Sequence, residues 1–395
     1  MASNYSAFKK IDHYVGLPIC ALLSSLYGIK NVFVKQKSAS KPPKRILIIK
    51  FFGLGSIGYS TLIVRDLKRQ YKDAHITLLT FDENRHFVEL LGAYDSIIGI
   101  DKKNFFRFVS STMKTLLTNF VKSYDMTIDI EFFSKYTAIH TAFTRAPKRI
   151  GFSLPKSFWR RYIYTDFVSF NIANHVRKIY GMISLVAGIE RSEETPATIQ
   201  VKQELISQAS SKLIAAGWDK QMPIVGINVN ASDLSFGRRW PIERFAFVTE
   251  NLAKNGYFVG LTGAPDEREY TQTCIERISS DLRNRVANLA GVLNIDEFIG
   301  FFKLVKLFVT NDSGPMIFCI LTDTPSVSLW GPTDPSVYGG QSKLHSVVYS
   351  KYPCSPCIYM PGVDAGLFCD KKFPCMDAIQ KEQVLEEIMK RLEAV

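Results

Sequence analysis

The chain has 395 residues, 46% hydrophobic and 22% charged, with a formal net charge of +12. That length exceeds what one ordinary core serves and points to two or three domains, and the apolar-to-charged balance excludes a disordered or fibrous chain. No apolar run reaches the ~20 residues that cross a bilayer; the longest, Val15 to Ile29, is interrupted by Pro18 and carries Ser24 and Ser25.

From the N-terminus, residues 1–45 hold eight Lys or Arg, among them Lys9, Lys10, Lys30, Lys35 and Lys37, against Asp12 alone. The segment has the outline of a signal peptide, with small residues at Ser38-Ala39-Ser40, but three lysines separate those from the apolar stretch, which is unusual for a cleavage site. Residues 1–44 are therefore expected to be a basic extension whose helix lies against a membrane or against the protein itself. A second cluster, Arg145, Lys148, Arg149, Lys156, Arg160 and Arg161, has no acid among it. These two segments account for the whole net charge, which calls for an anionic partner. Zinc-finger and RNA-recognition signatures are absent, so nucleic acid is not expected. Phe152, Phe158, Trp159 and Tyr162 among the second set of charges favour an anionic membrane surface or a phosphorylated glycolipid.

An alternating pattern follows. Arg45 to Phe51 reads as a buried parallel strand, Gly53-Leu54-Gly55-Ser56-Ile57-Gly58 as a glycine-rich turn, and Thr61 to Tyr71 as a helix. Strands are expected at His75–Thr80, Ser96–Ile100 and Met126–Ile130. Gly53-x-Gly55-x-x-Gly58 has the spacing of a dinucleotide fingerprint, but the acid expected about 20 residues on is not clearly placed, since Asp73 is early and Asp82 late. An NAD-dependent oxidoreductase is kept as an alternative on that spacing. After a polar stretch the pattern restarts at Pro223, with strands Ile224–Asn228, Tyr257–Thr262, Val305–Thr310 and Thr324–Leu329 and helices Ile242–Asn255 and Glu267–Ile278. Two tandem α/β units with parallel sheets are implied, with ligands at the carboxyl ends of strands and in the cleft between domains.

Asp312-Ser313-Gly314-Pro315 stands between a strand and a helix. Ser313 can cap the helix, Gly314 leaves room for a ligand, and Pro315 fits the first helical position, so the helix start favours a phosphate or diphosphate. Trp330-Gly331-Pro332-Thr333-Asp334-Pro335 is a second strand edge close by. Cys354, Cys357, Cys369 and Cys375 have a spacing open to structural zinc or to disulfides, within a proline-rich loop. Lys381 to Val395 is an amphipathic helix.

Taken in order, the segments resemble glycosyltransferase family 9, the ADP-heptose:lipopolysaccharide heptosyltransferases. They are Ile46–Gly55, Tyr124–Ile130, Lys148–Phe152, Gly226–Ser232, Arg239–Phe245, Val286–Gly291, Asn311–Met316 and Trp330–Pro335. The resemblance implies a GT-B fold, two Rossmann-like domains facing across a cleft. The expected organisation is an acceptor domain at 45–190, a linker at 191–222, a nucleotide-sugar domain with the Cys-rich loop at 223–377, and a C-terminal helix at 378–395. It implies inverting, metal-independent transfer of a sugar from a nucleoside diphosphate, ADP being the family's, to a lipopolysaccharide-core or other lipid-linked saccharide. The setting would be cytoplasmic, peripheral on the inner membrane face.

Carried over by position, Asn230, Ala231 and Ser232 would meet the donor diphosphate, and Arg238 or Arg239 would neutralise it. Asp266 or Glu267 would hold the ribose and Leu293 the base. Asp312, Ser313 and Gly314 would line the phosphate and sugar end, with Asp312 accepting from sugar hydroxyls and backbone N–H groups. Lys148, Arg149, Lys156, Arg160 and Arg161 would face the acceptor or membrane. Two positions depart from the pattern. Where the family usually carries a catalytic aspartate after Leu-Gly, this chain has Ser56, whose hydroxyl is no base near neutral pH. Ile317 stands where the family usually has histidine, which leaves the donor sugar open. Either another carboxylate acts, Glu131 first and Asp129 second, or the chain binds a nucleotide sugar and transfers it slowly or not at all.

Overall fold

The computed structural model describes all residues except 1–10, 34–40, 133, 154–157, 170, 172–173, 191–195, 197, 232–235, 341, 359–368, 371 and 395. They form two compact units, residues 1–197 and 198–395.

The first unit is built on a six-stranded sheet: β1 (Arg45–Ile49), β2 (His75–Phe81), β3 (Ser96–Ile100), β4 (Met126–Asp129), β5 (Lys148–Ser153) and β6 (Asp166–Ser169). Their spatial order is β3-β2-β1-β4-β5-β6, and all pairs are parallel. β1 is central, and four of its five residues are buried. This is why it reads as an unbroken apolar run rather than an alternating one. Helices α2 (Leu54–Gln70) and α3 (Arg85–Leu91) carry the chain outward to β3, and α4 (Phe105–Lys122) and α5 (Lys135–Thr144) carry it back through β4 to β5. Right-handed crossovers then put the two pairs on opposite faces of the sheet. α6 (Val176–Val186) follows β6 and packs on α2.

Only Gly53, with a φ of 81°, makes the turn after β1. Leu54 already opens α2, so Gly55 and Gly58 lie inside a helix. Of the glycine-rich turn expected up to Gly58, only Gly53 lies outside the helix.

The N-terminal extension contains a helix, α1 (Gly16–Phe33), that docks on this unit. Cys20 is buried with Ala138, Ala142, Trp159, Ile163 and Tyr164. Tyr27 donates to the carbonyl of Ala142 at 2.7 Å. Asp12 accepts from the backbone N–H groups of Lys135 and Tyr136 at 2.9 and 2.8 Å, a carboxylate at the positive end of α5.

The second unit repeats the plan. After α7 (Gln203–Ala215) come β7 (Ile224–Asn228), α8 (Ile242–Lys254), β8 (Phe258–Thr262), α9 (Arg268–Glu276), β9 (Val286–Asn288), α10 (Ile295–Phe302), β10 (Val305–Asn311), α11 (Gly314–Thr322), β11 (Ser326–Trp330), β12 (His345–Tyr349) and α12 (Lys381–Glu393). The strand order is β12-β11-β10-β7-β8-β9. Counted from each unit's own first strand, both sheets therefore have the order 3-2-1-4-5-6 of doubly wound dinucleotide-binding folds.

Two expected boundaries shift. The stretch 191–222 is no plain linker, because α7 buries Leu205, Ala209 and Leu213 and packs on α10. A Cβ on Gly300 of α10 would lie 2.1 Å from the Leu205 carbonyl oxygen, so the two backbones approach as closely as a glycine allows. The C-terminal helix is not separate either, since Val384 and Ile388 of α12 belong to the same core as Trp240, Phe245 and Val309. Trp240 is fully buried there, and its indole N–H donates to the Ile379 carbonyl at 3.0 Å. Its role is core packing.

Candidate functional site

In an open parallel sheet, neighbouring strands whose connections leave in opposite directions part at their carboxyl ends, and ligands bind in the crevice. In the second unit those strands are β7 and β10. A cavity of about 360 Å³ opens there. Its polar walls come from Asn228, Asn230 and Ala231 after β7, Gly263 and Glu267 after β8, and Ser313 and Gly314 at the start of α11. Its apolar walls are Leu289 and Leu293, between β9 and α10, and Ile295 and Phe298 at the start of α10.

Buried carboxamides hold the two strand ends in place. Asn228 donates to the Ser313 hydroxyl at 3.1 Å, and that hydroxyl also bonds Thr310 at 2.9 Å. Asn311 donates to the carbonyls of Val229 and Asn230 at 3.2 and 3.1 Å and accepts from the Trp240 N–H at 3.0 Å. Ser313 stands at the cap position of α11, but its hydroxyl is drawn sideways into this network and caps nothing. The expected serine cap is therefore absent. The helix start therefore keeps its electropositive end free of a serine cap, which suits an anion. A Cβ on Gly314 would meet nothing within 4 Å, so the space beside its backbone is open.

The charged residues frame the cavity. Arg238 and Asp312 are both buried and form an ion pair at 3.3 Å, outside the lining. Arg239 donates to the Ala231 carbonyl through two nitrogens at 3.2 and 3.0 Å, lies 4.9 Å over the Tyr270 ring, and approaches Glu267 at 3.8 Å. Glu267 also accepts from the Ala264 N–H at 2.8 Å, which fixes its carboxylate at the cavity edge. Of the donor residues expected from sequence, Asn230, Ala231, Glu267, Leu293, Ser313 and Gly314 line the cavity. Arg238, Arg239 and Asp312 surround it, Asp266 is exposed and outside the lining, and Ser232 lies outside the described residues. Of the apolar wall, sequence reasoning named Leu293 and missed Leu289, Ile295 and Phe298. Its signal was the capping box of Asn294 and Glu297, which places Leu293 and Ile295 at a helix entrance.

The first unit treats its equivalent crevice differently. Ser56 sits in the first turn of α2. Glu131 accepts from the N–H groups of both Phe51 and Phe52 at 2.9 Å through one oxygen, and its other oxygen lies 3.0 Å from the Lys50 ammonium. Asp129 is 1% exposed. It accepts from the Tyr164 hydroxyl at 2.5 Å and the Glu131 N–H at 3.0 Å. Burial pushes its carboxyl up to about 6 against the pull of Arg160. A general base must reach the proton it removes. In this structure both carboxylates expected as bases are buried and engaged in holding the ends of β1 and β4.

The second basic cluster also divides. Arg149 donates to the carbonyls of Ile163 and Ala146 and stacks 4.4 Å from the Tyr27 ring. Burial holds its pKa below the usual range. Arg160 donates to the carbonyls of Phe132 and Phe152 at 3.0 Å. These two arginines are internal struts, not surface groups. Arg161 is exposed, Lys148 is half-buried, and Lys156 lies outside the described residues.

None of the seven cysteines is in a disulfide. Among the described residues no three His, Cys, Asp or Glu side chains gather as a metal-ligand set. Cys375 faces inward. Burial raises its thiol to about 11, and a Cβ on Gly331 would lie 3.1 Å from its sulfur.

Residues 113–364 match glycosyltransferase family 9 (heptosyltransferase). The chain is 31% identical over 115 residues, 29% of its length, to the lipooligosaccharide heptosyltransferase 2 of Haemophilus influenzae. It spans about a third of the length of that relative. Two solved structures share the fold. One is a family 9 glycosyl transferase from Veillonella parvula, with a TM-score of 0.72 at 22% identity over 89% of this chain and 98% of the other. The other is the ADP-heptose lipopolysaccharide heptosyltransferase II of Escherichia coli, with a TM-score of 0.71 at 20% identity over 89% and 99%. With its two doubly wound units, the fold is of the GT-B class.

Proposed function

The chain belongs to glycosyltransferase family 9, and we propose that it moves heptose or a related sugar from an ADP-linked donor to a lipopolysaccharide-core or other lipid-linked saccharide at the cytoplasmic face of the membrane. The observation that carries this is the second unit's cavity, which joins an apolar wall, a fixed carboxylate and an uncapped helix start. These suit the base, ribose and diphosphate of one nucleotide. Leu289, Leu293 and Phe298 would hold the base, Glu267 a ribose hydroxyl, and the backbone at Gly314 the diphosphate. Adenine is preferred because the Escherichia coli protein of similar fold is named for ADP-heptose.

The reaction is a direct displacement. The acceptor hydroxyl oxygen bonds to the anomeric carbon on the face opposite the diphosphate. The carbon–oxygen bond to the diphosphate breaks, and the nucleoside diphosphate leaves with the electron pair. The hydroxyl proton passes to a base. Developing charge on the leaving group is met by the start of α11 and by Arg239, with no metal required. Asp312, fixed by Arg238, would accept from the donor sugar's hydroxyls.

A second reading is a donor-binding homologue with little or no transfer. It is favoured by Ser56 together with the engagement of Glu131 and Asp129. Calorimetry with ADP, GDP, UDP and NAD, followed by single-turnover transfer from ADP-heptose to a lipid-linked acceptor, separates them. Binding of a nucleoside diphosphate with transfer supports the enzyme, and binding without transfer supports the second reading. Binding of NAD alone would overturn both.

A further inference from the structure

Helices α1 and α4 both lie along α5 and run in its direction. Cys20 meets Lys135 and Tyr27 meets Ala142, while Thr112 meets Tyr136 and Phe120 packs on Phe143. The inner side of α1, with Leu17, Cys20, Leu23 and Tyr27, is already satisfied by this packing. The outer side repeats the apolar spacing. Ile19, Leu22, Leu26, Ile29 and Phe33 recur every three or four residues and are exposed, Leu22 by 62% and Phe33 by 82%. α4 does the same with Phe106, Val109, Met113, Leu117 and Val121, where Phe106 is 82% and Val121 76% exposed. A helix that is apolar on two sides is normally buried on both, and contiguous exposed apolar surface marks an interaction site.

Charge identifies the partner. The three helices carry Lys30, Arg107, Lys114, Lys122 and Lys135 and no aspartate or glutamate; Lys135 pairs with Asp12 and Arg107 with Asp101 beside them, so the attraction rests on Lys30, Lys114 and Lys122. Lys9 and Lys10 precede α1 in the chain, Lys35 and Lys37 follow it, and exposed Arg161 lies 5.4 Å from the Tyr162 ring, which packs beneath Gly28. A second copy of this face would bring cations against cations. An anionic bilayer supplies the opposite charge and an apolar layer in one surface. Among the described residues no helix is long and apolar enough to cross a membrane.

We propose that α1 and α4 form a two-helix face that lies in the interface of an anionic lipid bilayer, with their apolar stripes among the acyl chains and their lysines and arginines at the headgroups. It deepens the proposed function by naming the surface that brings the enzyme to a lipid-linked acceptor, yet it stands on this face alone.

Flotation of the full chain with phosphatidylcholine vesicles, with and without phosphatidylglycerol, tests it. Two pairs of exposed apolar substitutions, Leu22→Gln with Leu26→Gln and Met113→Gln with Leu117→Gln, are compared with the charge pair Lys114→Glu with Lys122→Glu. ADP titration and thermal unfolding report whether each variant keeps its fold. The expected result is binding to the anionic vesicles that weakens with salt and falls about tenfold or more in each apolar pair. Failure of the folded wild type to float, or undiminished flotation of both apolar pairs, overturns the proposal. So does a concentration-dependent dimer that the apolar pairs dissolve, which would make a second copy the occupant. A chain that floats but transfers no sugar upholds this face and refutes only the proposed reaction.

Discussion

The two units share one strand order, so each has one crevice where neighbouring strand ends part. In the second unit that crevice is open, and beside the parting strand ends it presents small uncharged residues such as Ala231, Ser313 and Gly314. In the first unit the corresponding strands are β1 and β4, and the chain's own carboxylate fills the gap. The N–H groups of Phe51 and Phe52 and the ammonium of Lys50 form a seat for an anion, and Glu131 occupies it. The topology offers an anion site twice, and side-chain choice decides which one is left for a ligand.

The comparison breaks most visibly at Glu131. Glu131→Gln leaves the Lys50 charge, 3% exposed, without its counter-ion. Losing one partner of a buried pair costs about 3–5 kcal/mol. Urea unfolding should show that loss while ADP affinity, which belongs to the other unit, stays unchanged. If stability holds and transfer vanishes, Glu131 is the base after all. Asp129 gives a somewhat smaller, pH-dependent effect. Burial pushes its carboxyl up to about 6, above the ordinary aspartate range near 4. The folded state therefore binds the proton more tightly, and the group's contribution is fully present below pH ~4 and is lost as pH rises through ~6. That difference corresponds to about 3 kcal/mol. The stability difference between wild type and Asp129→Asn, followed by urea unfolding from pH 4 to 8, should change by that order across this window and level off above it.

What was legible in the sequence follows the same division. Central strands such as β1 and β7 were readable because burial on both faces leaves an uninterrupted apolar run. The edge strands β6, β9 and β12 are short or mixed and carry no such signal. The helix start at Gly314 was readable from Ser-Gly-Pro, but the Ser313 hydroxyl was not, because its partner Asn228 is 85 residues away. The same limit hid the surroundings of Glu131 and Asp129. Alternation puts two carboxylates on one face, yet Lys50, Tyr164 and Arg160 reach them only through the tertiary fold. Arg149 and Arg160 looked like surface charge because local sequence cannot reveal the backbone carbonyls that capture them. The apolar run in α1 was visible, whereas its two-sidedness appears only once Cys20 and Tyr27 are docked.

The open crevice is sharpened by changes that alter its shape and nothing else. Gly314→Ala adds a methyl group where nothing lies within 4 Å. Stability should stay within about 0.5 kcal/mol, since no contact is strained and alanine suits a helix better than glycine. The same methyl projects beside the proposed diphosphate seat, so calorimetric affinity for ADP should fall about tenfold, or about 1.4 kcal/mol. Equal affinity for ADP in wild type and variant would move the diphosphate away from α11.

Leu293→Ala is the finest of these tests, because it removes part of one wall rather than blocking a seat. Leu293 lines the cavity and is only half-buried, so its loss leaves a larger opening instead of a sealed void. The expected penalty on ADP binding is about 1 kcal/mol, the worth of a few methylene contacts. A purine covers more of that wall than a pyrimidine, so the variant should lose more affinity for ADP than for UDP. Equal losses for the two would mean that the wall touches the ribose or the diphosphate, and the base would then have to sit elsewhere in the unit.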